Sequence, residues 1–148
     1  MLNVLTALNV LIPVDGSVYS DHAVGQFIHY AALFRETPKI HLLHVHAPIP
    51  IGRVQQHIGH EALATYYREE GDALLASAEA LLKAAGLDFS RHIHVGPAAE
   101  IIVKQANELA CDMIFMGTHG RGALPAALLG SVASKVLHLA DRPVTLVK

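Results

Sequence analysis

Three sets of residues in this chain could do chemistry. The first is the stretch Gly117 to Ser131, GTHGRGALPAALLGS. Its glycines let a backbone approach a ligand closely. A helix that starts at its end would offer unpaired N–H groups and a partial positive charge, which together suit an anion. Ser131 reads as the N-cap of that helix, Val132 to Ala140, and Arg121 adds a full positive charge. His119 is the stretch's one candidate general base. The second set is Asp15-Gly16-Ser17, where an apolar run ends. Asp15 there is either a ligand residue or a cap for the next helix. The third is the eleven histidines. His44 and His46 share one face of a strand, and His92 and His94 share one face of its expected neighbour. His57 and His60 lie three apart. Neutral imidazoles bind zinc or copper, but no second cysteine and no tight multi-ligand motif accompanies them.

The glycine spacing separates the first set from two common phosphate motifs. A P-loop needs GxxxxGK[ST], and no Gly-Lys pair occurs in the chain. A dinucleotide fingerprint needs GxGxxG, yet Gly120-Arg121-Gly122 is followed three positions on by Pro125. The glycines fall instead as G-x2-G-x9-G-S, at Gly117, Gly120, Gly130 and Ser131.

The elements that must position these residues follow from the hydrophobic pattern. Asn9 to Val14 (NVLIPV) is a short apolar run that suits a strand covered on both faces. Ser17 and Ser20 are candidate caps for a helix with Ala23, Phe27, Tyr30, Ala31 and Phe34 at helical spacing, broken at Thr37-Pro38. Ile40 to Val45 is a second strand. Ala47 to Gly59 is the longest loop, with Pro48, Pro50 and Gly52 and no clear period; such loops are often lids or binding loops. Glu61 to Ala85 is a long amphipathic helix in which Gly71 marks a bend and Gly86 follows the end. Phe89 to Val95 is a third strand. Pro97 is read as the first helical position and Glu100 as part of the first turn. Met113 to Met116 is the fourth strand and Val144 to Val147 the last. Strands alternating with helices predict an α/β fold, a parallel sheet with helices on both faces. Ligands bind such sheets at the C-terminal strand ends where the strand order reverses. Asp15-Gly16 and Gly117 to Gly122 are the candidate ends.

Composition agrees and excludes some classes. At 148 residues, with 52% hydrophobic and 16% charged, residues 1–148 read as a single compact domain. A net charge of −2 provides no electrostatic case for nucleic acid or an anionic membrane. No apolar run reaches membrane-spanning length. The apolar start lacks Lys or Arg near Met1 and a cleavage site before Asp15, and is read as a buried strand of a cytoplasmic protein. The one cysteine, Cys111, fits a reducing compartment and reads as a small buried residue.

The glycine spacing resembles the nucleotide-binding signature of the universal stress protein family, and the likeness extends over nearly the whole chain. Ile12 to Ser17 is similar to the family's opening motif and Leu42-Leu43-His44-Val45 to its second strand. His94 to Pro97 with Glu100-Ile101-Ile102 resembles its third strand and following helix, and Arg142-Pro143-Val144 its ending. The resemblance implies a doubly wound, Rossmann-like, five-stranded parallel sheet of order 3-2-1-4-5 with four helices. It implies ATP held between the ends of strands one and four, accompanied by Mg²⁺. Carried over by position, Pro13, Val14 and Asp15 would line the adenosine end and Val45 would contact adenine. Met116, Gly117, His119 and Gly120, with Arg121 and Gly122, would sit beside ribose and phosphates. Gly130, Ser131 and Val132 would offer N–H groups to the phosphate tail. A homodimer through the edge strand Val144 to Val147 is also implied.

The resemblance describes a nucleotide-dependent regulatory module with slow or no hydrolysis. Two alternatives stand beside it. One is an adenylyl-transferring or ATP-hydrolysing enzyme of the related α/β class; Asp15 to Ser20 only partly echoes the loop such enzymes carry and lacks its double glycine. The other is a metal-binding protein built on the histidines.

Overall fold

A computed structural model describes residues 6–49, 59–121 and 128–148. Nine elements alternate: β1 (Asn9–Pro13), α1 (Val18–Ala31), β2 (Lys39–His46), α2 (His60–Ala84), β3 (Phe89–Val95), α3 (Ala98–Glu108), β4 (Met113–Gly117), α4 (Ser131–Leu139) and β5 (Val144–Val147). The strands form one parallel sheet of order β3-β2-β1-β4-β5. The expected α/β fold, strand order and helix count are therefore those observed.

The apolar runs explain which strands lie inside. Val10, Leu11, Ile12 and Val14 of the β1 run are each at most 3% exposed, so the central strand is covered on both faces. Its even positions join α1 and α2 in one core, with Ala23, Val24, Phe27, Leu75, Ala78 and Leu82. Leu11 joins α3 and α4 in the other, with Leu43, Ile102, Ala106, Ile114, Ala133 and Val136. Each fully buried aliphatic side chain contributes about 1.5–3 kcal/mol relative to exposure. The edge strands β3 and β5 are only partly covered.

Local chemistry sets the element ends. The Ser17 hydroxyl accepts from the Ser20 N–H at 3.2 Å and caps α1. Gly86, at φ +71°, takes the left-handed turn that ends α2. Arg142 reaches back to the last turn of α3, donating to the Ala106 carbonyl at 3.1 Å and to Asn107 Oδ1 at 2.6 Å, and also to the Cys111 carbonyl. Cys111 itself is buried, and burial pushes its thiol up to about 11.

Three local expectations need correction. Helix α1 ends at Ala31, so Phe34 lies beyond it and is 43% exposed; the Tyr30 and Ala31 carbonyls close the end by accepting from Leu33 and Phe34. Pro97 is the N-cap of α3 rather than its first residue, with ψ at 120°. Gly71 lies in an uninterrupted helix, where a Cβ would come within 2.7 Å of the Ile93 side chain. The residue marks a close approach of α2 to β3, not a bend.

The histidines fall as their spacing indicates, each pair on one face of its own strand. In the register, His92 and His94 sit beside Leu43 and Val45, so they share the α3–α4 face. His44 and His46, one residue out of phase, lie on the opposite face. The pairing that forms is His41 Nδ1 to His92 Nε2 at 3.0 Å. His57 lies outside the described residues. Among the described residues no group of three or more His, Cys, Asp or Glu could hold a metal ion.

Burial lowers the affinity of His41, His44 and His92 for a proton, with neighbouring His92, His46 and His94 adding to the effect on each in turn. The fold thus favours the neutral ring of each, while the unfolded chain protonates them near pH 6.5. Between the lowered folded values and 6.5 the unfolded chain binds more protons, so stability is complete above 6.5 and falls as pH drops below it. Each histidine contributes up to about 1.4 kcal/mol per pH unit in that window. Urea midpoints measured from pH 7.5 to 4.5 should decline below pH 6.5, and the double variant H41F/H92F should flatten the decline.

Candidate functional site

The site lies where neighbouring strands send their chains to opposite faces. β1 leads into α1 on one side of the sheet, and the adjacent β4 leads towards α4 on the other. A crevice must open between such strand ends. It is a cleft of about 320 Å³, within the range of small-molecule sites.

The backbone at the β4 end is closed tightly. The Thr118 N–H donates to the Val147 carbonyl at 3.0 Å, and the Thr118 carbonyl accepts from Gly130 N–H at 2.7 Å. The chain thus leaves the sheet and returns to the same residue before α4 begins. A Cβ on Gly130 would meet that carbonyl at 3.1 Å, which explains glycine there. Gly130, not Ser131, is the N-cap of α4; Ser131 is the first helical residue, and no side chain caps the helix. The expected serine cap is thus displaced by one position, because the extended residue that turns into the helix is the one bonded to Thr118.

The two strand ends are joined through one carboxylate. Asp15 Oδ1 accepts from Ser17 N–H at 3.0 Å, within its own loop. Asp15 Oδ2 accepts from Arg121 N–H at 2.8 Å, across the cleft. A Cβ on Gly120 would stand 2.3 Å from that oxygen, so glycine makes room for the carboxylate. Burial pushes the Asp15 carboxyl up, but the bonds from Ser17, Arg121 and Ser20 outweigh it and hold the carboxyl below its usual range. His119 Nδ1 bonds with the Thr118 hydroxyl at 2.9 Å, and its ring lies 5.4 Å from that of Tyr19.

Of the residues singled out in the sequence, Pro13, Val14, Asp15, Val45, Met116, Gly117, His119, Gly120, Arg121, Gly130, Ser131 and Val132 all line this cleft. Gly122 and Pro125 lie outside the described residues. The lining also includes Ser20, Leu43, Ala98, Ile102, Thr118, Leu129 and Ala133, to which sequence reasoning gave no part in the site. Ala98 and Ile102 are one turn apart at the start of α3. That spacing marks a helix face without saying what the face meets. The Glu100–Lys135 ion pair joins α3 to α4 beside this wall.

Chemically the cleft has two ends. Leu43, Val45, Ile102 and Met116 make an apolar end suited to a flat, uncharged group. Gly130, Ser131 and Val132 present the start of α4, suited to an anion. Asp15, His119 and Arg121 are the ionisable groups among its described lining residues.

The chain matches the model of the universal stress protein family over residues 7–148. It is 30% identical over 139 residues to universal stress protein MJ0531 of Methanocaldococcus jannaschii, covering 94% of this chain and 81% of that one. It is equally similar to universal stress protein Slr1230 of Synechocystis, of whose length it spans only 42%. Among solved structures, that of hypothetical protein MJ0577 superposes with a TM-score of 0.80 at 30% identity, over 97% of both chains. A universal stress protein in complex with cAMP superposes at 0.69 with 24% identity, over 95% of this chain and 97% of that one. An Arabidopsis thaliana family member with AMP bound superposes at 0.66 with 18% identity, over 95% and 91%.

Substituting Gly120 by alanine should drive the Asp15 carboxylate off the Arg121 N–H. The expected outcome for G120A is a loss of about 1–3 kcal/mol in stability and an Asp15 titration moved up towards the ordinary carboxylate range. Carbon-13 NMR titration of the side chain checks the second part without any ligand.

Proposed function

Because the chain belongs to the universal stress protein family, we propose that it binds an adenine nucleotide between the ends of β1 and β4 and serves as a nucleotide-dependent regulatory module in a stress response. The observation that carries this reading is the cleft itself. An apolar end and an α4 N-terminus without a side-chain cap line one cleft at a topological switch point. Relatives of the same fold that hold cAMP or AMP support adenosine as the recognised part. In this reading Pro13, Val14, Asp15 and Val45 line the adenosine end. Met116, Gly117, His119, Gly120 and Arg121, with Gly122, flank ribose and phosphates; Gly130 lies beside the phosphate tail, its own N–H bonded to the Thr118 carbonyl, and the N–H groups of Ser131 and Val132 receive that tail.

ATP with Mg²⁺ is the ligand we favour. Asp15 is the one carboxylate among the described lining residues, and both its oxygens already accept N–H bonds. The donor set therefore fits a magnesium ion carried mainly by phosphate oxygens, with Asp15 as its only carboxylate neighbour. Such an ion would neutralise phosphate charge. Hydrolysis in this reading is slow or absent. A phosphotransfer site needs a base or water-orienting group beside its electrostatic stabilisers, and His119 is the one candidate base, its Nδ1 engaged by Thr118.

Residues 1–148 make one nucleotide-binding domain in this reading, with both cores on one sheet. No helix among the described residues is long and apolar enough to cross a membrane, and the buried thiol of Cys111 fits the reducing cytoplasm. The half-buried edge strand β5 would pair with its copy across a two-fold axis. A monomer mass in solution at micromolar concentration would overturn that assembly.

The nucleotide reading is tested by melting temperature with Mg-ATP and with AMP, GTP serving as the control. Ligand at a hundred times its Kd adds about 2.7 kcal/mol, which for a chain of this size is a rise of several degrees. A rise with the adenine nucleotides and not with GTP is expected. No rise, in protein shown to carry no bound nucleotide, would overturn the reading.

A further inference from the structure

We propose that His44 is a positioning residue of this cleft: its Nδ1–H donates to the Val14 carbonyl and thereby holds the β1 end from which Asp15 reaches Arg121. His44 lies on the sheet face covered by α1 and α2 and is 4% exposed. Its Nδ1 stands 2.9 Å from the Val14 oxygen. A carbonyl can only accept, so the proton of the neutral imidazole is on Nδ1 and Nε2 carries a lone pair. That Nε2 is buried and has no hydrogen-bond partner among the described residues.

The need for this bond follows from the sheet. β1 pairs with β4 at Val10 and Leu11 and with β2 as far as Pro13. Beyond those positions the strands part to open the cleft, and a backbone carbonyl there requires some other donor. The Val14 N–H still donates to the Leu43 carbonyl at 2.8 Å. The His44 side chain serves its carbonyl. The N–H of the same peptide, that of Asp15, lies 3.4 Å from the Ser20 hydroxyl. The Val14–Asp15 peptide plane is thus held from both edges, and the Asp15 side chain leaves from it towards Ser17 and Arg121.

This arrangement tolerates only the neutral ring. A second proton on Nε2 would bury a charge whose N–H meets no acceptor. The charged and titratable groups acting on His44 are His46 on its own strand, Asp15 at the end of β1 and Arg121 in the loop after β4. The His46 ring stands perpendicular to it at 6.0 Å. Burial outweighs the bond to Val14 and the attraction of Asp15, and holds the affinity of His44 for a second proton below that of a free imidazole.

The role in ligand binding rests on the nucleotide reading above; the role in holding Asp15 does not. The test therefore begins on ligand-free protein, with H44L, which removes the donor, and H44N, whose amide nitrogen falls where Nδ1 was. In H44L the Arg121 amide should exchange with solvent about tenfold faster, and the Asp15 titration should move up towards the ordinary range; H44N should restore both. AMP and Mg-ATP affinities should fall about tenfold in H44L and recover in H44N. Wild-type Arg121 exchange and Asp15 titration in a folded H44L would overturn the proposal, whether or not any nucleotide binds. Should H44L fail to fold, imidazole nitrogen-15 spectra of the wild type decide: an Nε2–H tautomer for His44, or a charged ring at pH 6, would equally overturn it.

Discussion

The Asp15 carboxylate joins the two halves of the site. One oxygen takes an N–H from the loop after β1, the other an N–H from the loop after β4. The β1–β4 pairing itself stops short of these ends. The bridge sets a demand on its surroundings. β1 and β4 must be neighbours, the β4 loop must carry glycine at position 120, and the β1 end must be stiff enough to hold a charged side chain in place. Each demand is met by a separate part of the structure: the strand order, the bare Cα of Gly120 and the bonds around the Val14–Asp15 peptide.

The same bridge divides the electrostatics of the cleft. Backbone N–H groups near Asp15 are already engaged by a protein anion, whereas the start of α4 has no side-chain cap. In the proposed nucleotide reading an anion meets the start of α4 rather than the Asp15 carboxylate. The apolar wall formed by β2, β4 and the first turn of α3 fills the space between. Polarity of this kind suits a ligand with one flat end and one charged end.

The histidines show the opposite use of polar groups. His41, His44 and His92 lie within or beside the core, where burial favours the neutral ring, two bonded to each other and one to a carbonyl. Their contribution depends on their not being charged, and it ties strand to strand at places where the hydrophobic pattern alone leaves polar atoms. Two of the buried ring nitrogens, Nε2 of His41 and of His44, meet no partner among the described residues. A lone pair without a partner costs less than an N–H in the same position, which favours the tautomers that satisfy the bonds seen.

The element order, the parallel sheet and the two loops of the switch point were legible in the sequence. Continuous apolar runs such as NVLIPV belong to strands covered on both faces, and the glycines mark places where backbone meets backbone. The spacing from Gly117 to Gly130 brought out the loop, because Gly120 and Gly130 each stand where a Cβ would collide. What only the tertiary structure decided was which side chains meet. Strand parity hides whether His92 faces His41 or His44, since a shift of one residue in register exchanges the faces. Periodicity shows that Ala98 and Ile102 share a helix face, not that the face borders a cleft. The bond from Asp15 to Arg121 spans 106 positions in the chain, and no local pattern encodes a contact that exists only because β1 and β4 lie side by side.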